Sequence, residues 1–239
     1  LGTLFVQAKK FDLAKPLLYK ASQINSNYAP VHNNLAGALN ELGEYQEAIN
    51  CCQKAIQIDP NYADAHNNLG ASFKELGEPQ KAMDCYQKAI QIQPNHVDAY
   101  NNLGTVFRQL GKLQKAISCY EKAIQINPNY AEAHNNLGIV FRKLGEYQKA
   151  ISCYEKAIQI DPNYANVYYN LGNILQELRE LQKAKSCYEK LLNLDPTNKK
   201  GYSGYGNLLL KITQHNKGLA YIRKGDGVIR FTQKDVKII

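Results

Sequence analysis

Apolar side chains along this chain recur three and four residues apart, the spacing of one face of a helix. In residues 63–96 the first such stripe is His66, Leu69, Gly70, Phe73 and Leu76, and a second begins near Ala82 and Tyr86. Between them Gly77 supplies the left-handed residue that ends a helix without a Cβ penalty. Pro79 stands where a second helix starts, because a first turn needs no N–H there. Pro94 stops that helix, and Asn95 completes the turn. The pattern predicts helices over about 63–76 and 79–92, joined by a loop short enough to force them antiparallel. No segment before residue 225 alternates as a strand would.

The arrangement repeats. Prolines 60, 94, 128, 162 and 196 are each 34 residues apart, as are glycines 43, 77, 111 and 145 and alanines 48, 82, 116, 150 and 184. Self-similarity at this period marks a stacked array of helix pairs. The unit reads His66-x-x-Leu69-Gly70-x-x-Phe73, Ala82-x-x-x-Tyr86, Pro94. This resembles the tetratricopeptide repeat (TPR), in which an aromatic, Leu-Gly, an aromatic, Ala, an aromatic and Pro hold these places. The resemblance implies an all-α fold, a right-handed α-solenoid of antiparallel helix pairs. It covers five full units (29–62, 63–96, 97–130, 131–164 and 165–198), a partial unit over 1–28 and a degenerate sixth over 199–225. Residues 226–239 are a C-terminal cap or a linker to a further domain; "GDG" reads as a turn and "VIRFT" as a short strand. Arg179 and Thr213 stand in the turn-glycine slot, and Pro16 is expected to kink its helix.

With each unit numbered from one, positions 4, 7, 8, 11 and 14 of the first (A) helix form the buried arc. Positions 2, 5, 6, 9, 12 and 13 face away from the second (B) helix, so in a stacked array they line a concave wall. Position 6 is asparagine in all five units: Asn34, Asn68, Asn102, Asn136 and Asn170. Asn67, Asn101 and Asn135, like Asn33, precede them at position 5. Asparagine disfavours helix interiors, but its amide offers an acceptor and two donors that suit an extended peptide backbone. A similar asparagine ladder holds peptide backbone in arrays of the O-linked N-acetylglucosamine transferase type, and the resemblance implies the same use here. The alternative is an exposed asparagine copied by duplication. Lys74, Arg108 and Arg142 form a basic row toward the helix ends, suited to the helix dipole or to acidic ligand groups.

The formal charge is +8, but it sits at the ends. Residues 29–198 carry 16 basic and 18 acidic side chains, a net −2, while residues 199–239 carry nine basic and two acidic, a net +7. A neutral body disfavours nucleic acid as a partner. Five of the six cysteines recur once per unit, too far apart for disulfides, and read as reduced packing residues. His32, His66 and His134 take the aromatic position of their units and are too widely spaced to share a metal. With no phosphate loop, nucleophile elbow or paired zinc ligands, no enzyme, cofactor or metal is expected. No run is long and apolar enough to span a membrane, and the opening residues carry no secretory leader, so a cytoplasmic protein is expected. The function read from these features is a protein-interaction scaffold binding peptide in its groove. Two alternatives stand beside it. One is self-assembly through solenoid ends, with Leu4, Phe5 and Phe11 uncovered. The other is a substrate-recruiting module of a larger enzyme.

Overall fold

A computed structural model describes residues 2–227, 229–231 and 236–238. The helices are α1 (Gly2–Gln7), α2 (Phe11–Ile24), α3 (Ala29–Glu41), α4 (Tyr45–Ile58), α5 (Ala63–Glu75), α6 (Pro79–Ile92), α7 (Val97–Gln109), α8 (Leu113–Ile126), α9 (Ala131–Lys143), α10 (Tyr147–Ile160), α11 (Ala165–Glu177), α12 (Leu181–Leu194), α13 (Lys199–Lys211) and α14 (His215–Asp226). They form two compact units, residues 1–128 and 129–239. Each repeat is one A helix paired with the B helix that follows it, as the stripes predict.

The A helices end where their local chemistry dictates. Gly77 has φ 76°, and past it the Glu78 N–H donates to Phe73 O at 2.9 Å, closing the αL stop. Arg179 and Thr213 adopt φ 63° in the same slot, a left-handed conformation that costs a side-chain-bearing residue about 1 kcal/mol. Helix α2 runs uninterrupted through Pro16; with no N–H on Pro16, the ladder lacks one donor there.

Packing within a pair rests on a glycine facing a tyrosine. A Cβ on Gly138 would lie 2.6 Å from the Tyr154 ring, and one on Gly70 would lie 2.7 Å from the Tyr86 ring. The absent side chain is what lets the buried ring lie against the A helix. Two expectations change. Position 14 is not buried: Leu76, Leu110 and Leu144 are more than 40% exposed, because the helix has ended and the residue has left the arc. Positions 3 and 10, absent from the predicted stripe, are fully buried at Ala65 and Ser72, Ala99 and Val106, Ala133 and Val140, and Val167 and Ile174. An A helix is therefore enclosed by the preceding B helix, where Ala65 meets Ala55 and Ala99 meets Ala89, and by the preceding A helix, as well as by its own B helix.

The sixth pair is complete in α13 and α14, its core built on Tyr202, Tyr205, Leu208, Leu209 and Ile222. The C-terminal segment departs from an all-α chain: β1 (Ile229–Phe231) pairs antiparallel with β2 (Val236–Ile238), Ile229 opposite Ile238, and β1 lies against α14. The predicted strand at "VIRFT" is present for Ile229–Phe231, while Val228, residues 232–235 and Ile239 lie outside the described residues. At the other end, Phe5 and Phe11 are half-buried in the first core cluster rather than uncovered, and the Leu4 side chain lies outside the described part. The exposed apolar side chains there are Leu13, Tyr19, Ile24 and Tyr28.

Candidate functional site

The asparagines of positions 5 and 6 meet one another. Asn68 Nδ2 donates to Asn33 Oδ1 at 2.8 Å, Asn102 Nδ2 to Asn67 Oδ1 at 3.0 Å and Asn170 Nδ2 to Asn135 Oδ1 at 2.9 Å. In these three pairs the position-6 amide reaches back to the position-5 amide of the preceding A helix. The position-5 amide is held in turn: Asn33 Nδ2 lies 3.4 Å from the Tyr62 hydroxyl, and Asn135 hydrogen-bonds Tyr164. A helix pitch brings these residues together because successive A helices pack directly, α3 on α5 and α9 on α11.

This corrects the placement of the position-5 residues. Asn33, Asn101 and Asn135 are 6%, 1% and 5% exposed and lie between helices, not at the edge of an open face. Asn136 is also buried, whereas Asn34, Asn67, Asn68, Asn102 and Asn170 are half-buried. The end of the chain shows that the pair is mutual. Tyr169 replaces the amide at position 5 of the fifth repeat, and Gly204 replaces it at position 6 of the next. There Tyr169 packs edge-on to Tyr188 with centroids 6.4 Å apart, and a Cβ on Gly204 would lie 2.9 Å from the Tyr188 ring.

The basic row is also engaged. Lys74 Nζ lies 2.9 Å from Glu75 Oε1, Arg108 hydrogen-bonds the Tyr120 hydroxyl, and Arg142 forms an ion pair with Glu177. In the second unit this row borders a recess of about 370 Å³ lined by Ile139, Arg142, Lys143, Asn170 and Glu177. Two of the sequence-predicted residues, Asn170 and Arg142, meet there.

The position-24 tyrosine of the B helix turns its hydroxyl to position 9 of the A helix in two repeats. The Tyr188 hydroxyl donates to Asn173 Oδ1 at 2.7 Å, and the Tyr120 hydroxyl lies 3.2 Å from Thr105 Oγ1. In the repeats of Tyr86 and Tyr154 position 9 is Ala71 and Ile139, and their buried hydroxyls have no hydrogen-bond partner among the described residues. Burial pushes the Tyr154 phenol pKa up; the Arg142 charge opposes that shift and the Glu177 charge adds to it.

Profiles of the tetratricopeptide repeat match residues 62–129, 95–163 and 129–197, and a further TPR repeat profile matches residues 36–77. The chain belongs to the tetratricopeptide repeat family. Among curated proteins no sequence match is found. Solved structures share the fold. A chain of the APC/C hetero-tetramer Cut9–Hcn1 superposes with a TM-score of 0.80 at 18% identity, over 88% of this chain and 43% of that one. Pseudomonas aeruginosa PilF gives 0.74 at 22% identity, over 81% and 88% of the two chains. MamA gives 0.57 at 28% identity, over 68% and 95%. This TPR chain therefore spans less than half of the chain it resembles in the Cut9–Hcn1 complex.

Tetratricopeptide arrays generally mediate protein–protein interactions. In this array the cysteines are free, and burial raises the thiols of Cys51, Cys85, Cys119 and Cys187 to about 11. Among the described residues no group of acidic, histidine or cysteine side chains is arranged to hold a metal. No helix among them is long and apolar enough to cross a membrane. The repeat's histidines tie helix to loop: His66 Nε2 lies 3.1 Å from Pro60 O and His32 Nε2 3.0 Å from Ser26 O. His96 caps α7 through Nδ1, which accepts from Ala99 N–H at 3.3 Å, while Nε2 lies 3.1 Å from Asp64 Oδ1. That second approach is off the line of a hydrogen bond, so it counts as an electrostatic contact, and it holds the Asp64 carboxyl below its usual range. Sequence reasoning missed Tyr154, Ile139 and Glu177. The available signal was position 9, which reads Ala71, Thr105, Ile139 and Asn173 in the four repeats whose position 24 is tyrosine.

Proposed function

We propose that this chain is a non-catalytic interaction module that holds an extended segment of a partner protein along the free face of its A helices. The observation that carries this reading is the recess in the second unit, where Asn170 and Arg142 converge beside an apolar wall at Ile139. The ladder contributes acceptors: Asn68, Asn102 and Asn170 each use Nδ2 on the preceding helix, leaving Oδ1 to take an N–H from the ligand. Packed helices stand about 8–10 Å apart, and a polyproline II segment returns to the same face about every 9 Å. One ligand residue in three would then meet one repeat. The buried position-5 amides act indirectly by fixing the orientation of the position-6 amides.

The test is selection of binding peptides from a random display library, followed by calorimetric titration against the full chain. Asn68→Ala with Asn102→Ala is expected to weaken the selected peptides by about tenfold or more, on the scale of one or two lost hydrogen bonds. Unchanged affinity in a double variant that still melts cooperatively removes the ladder from the mechanism.

A second reading has its own observation. Leu13, Tyr19, Ile24 and Tyr28 are each more than half exposed at the N-terminal end, which suits self-association. Light scattering over a concentration range tests it, and a constant monomer mass ends it.

A further inference from the structure

We infer that the outer face of α2 is a self-complementary surface on which a second copy of this chain docks, the two helices crossing antiparallel about a two-fold axis through Pro16. This rests on the self-association reading and gives it a face and a register. In repeat numbering Leu13, Pro16 and Tyr19 are positions 19, 22 and 25. In the five full repeats position 19 is Glu or Lys, position 22 is Asn, Asp or Ser, and position 25 is Gln or Glu. Those five B helices turn a polar outer face to water, while α2 presents Leu, Pro and Tyr in the same places. Leu13 and Tyr19 are each 52% exposed, and Pro16 between them is exposed as well. Pro16 and Tyr19 edge a recess of about 670 Å³ that Lys15, Lys20, Gln23 and Glu47 complete, which leaves room for a side chain from outside.

The spacing on α2 says what covers this face. At about 100° per residue, Pro16 stands at the middle of the exposed arc, with Leu13 and Tyr19 about 60° to either side and Asp12 and Lys20 about 40° to either side. A two-fold axis through Pro16 sets residues equally far before and after it against each other, so Leu13 meets Tyr19 of the other copy and Asp12 meets Lys20. Each contact occurs twice, as an isologous interface requires. Both rows match: an aliphatic side chain lies on an aromatic ring, and opposite charges face each other. Asp12 and Lys20 are exposed and carry no ion pair among the described residues. The remaining charges bring no clash. Lys15 is paired with Glu44 and feels Glu47, and the same operation carries Lys9 and Lys10 toward Gln23 and Ser22. A single helix crossing buries less than the roughly 1,200 Å² of a stable interface, so the dimer is weak, with a dissociation constant of about 0.1–1 mM.

Sedimentation equilibrium of the full chain, at concentrations reaching the millimolar range, reads the association. Lys20→Asp alone and Asp12→Lys alone each set like charges against one another twice, and each should weaken dimerisation about tenfold. Mixed together, the two variants should form a dimer about as tight as the parent's. In that mixture Asp12 of the first meets Lys20 of the second, and the two introduced side chains meet with opposite charge. Recovery on mixing also excludes misfolding as the cause of the single losses. Tyr19→Gln, which installs a residue of the later repeats, should weaken the dimer about tenfold as well. Lys54→Asp, at the place of Lys20 in the next repeat, should leave it unchanged. A dimer that persists in both charge variants and gains nothing on mixing overturns the α2 face and leaves self-association standing. A chain that stays monomeric at millimolar concentration overturns both.

Discussion

Tyr154 and Tyr188 occupy the same place in consecutive repeats of one unit, both fully buried against an A-helix glycine. One hydroxyl is bonded to Asn173 and lies near Gln176; the other has no hydrogen-bond partner among the described residues. The repeats differ here at position 9, Asn173 against Ile139, and at position 12, Gln176 against Arg142. Duplication has copied the fold, and the copies differ in how many polar groups they satisfy for themselves. In a repeat array such a difference is affordable because each repeat contacts only its neighbours. A local deficit leaves the distant core intact.

The comparison breaks most severely at the glycines. Gly138→Ala puts a methyl 2.6 Å from the Tyr154 ring, whereas at Gly172 the nearest ring atom is 3.2 Å away. Gly138→Ala should destabilise by about 2–3 kcal/mol, and Gly172→Ala by roughly half of that or less. Urea midpoints of the two variants check this, and equal losses would show that the rings are not wedged differently. Next in size is the amide pair. Asn135→Ala strands the Asn170 donor and the Tyr164 partner and should cost about 2 kcal/mol, whereas Tyr169→Phe at the same position of the next repeat, where no amide pair exists, should cost less. Thermal melts of both distinguish a mutual pair from a passive polar residue.

The hydroxyls themselves sharpen the contrast. Tyr188→Phe removes a bonded hydroxyl and leaves Asn173 unpaired, for a loss of about 1 kcal/mol, while Tyr154→Phe should change stability by no more than about 0.5 kcal/mol or improve it. Equal losses would mean that the Tyr154 hydroxyl has a partner after all. The smallest effect belongs to Asp64 in the first unit. Its folded carboxyl pKa is depressed by His96, so the stabilisation is present above about pH 4 and disappears as pH falls through the lower, folded value. The carboxylate is 58% exposed, so the gain is under about 1 kcal/mol. The difference in melting temperature between the parent and Asp64→Asn should narrow between pH 5 and about pH 2.5. A constant difference refutes the linkage.

Much of this was legible in the sequence. Pro79 and Gly77 mark helix ends because proline and glycine impose their backbone preferences wherever they stand, and α6 begins at Pro79 as predicted. Arg179 and Thr213 were recognisable as occupants of the left-handed slot from register alone. The stripe at Leu69 and Gly70 was legible because helical spacing assigns a face. Spacing also misled where it stopped applying: at Leu76 the helix had ended, and at Ala65 and Ser72 a neighbouring helix supplied cover that the arc of one helix does not reveal.

What the chain determined by itself is the period, the helix boundaries and the identity of the side chains on each face, because these follow from φ/ψ preferences and the rise of a helix. Only the tertiary structure decided what those faces meet. The Asn170–Asn135 bond spans 35 residues and depends on how closely two A helices approach, and the orphaned hydroxyl of Tyr154 depends on which side chain the opposing helix sets before it. Both are contacts between elements, and a hydrogen bond is won or lost over a few tenths of an ångström that no residue pattern encodes.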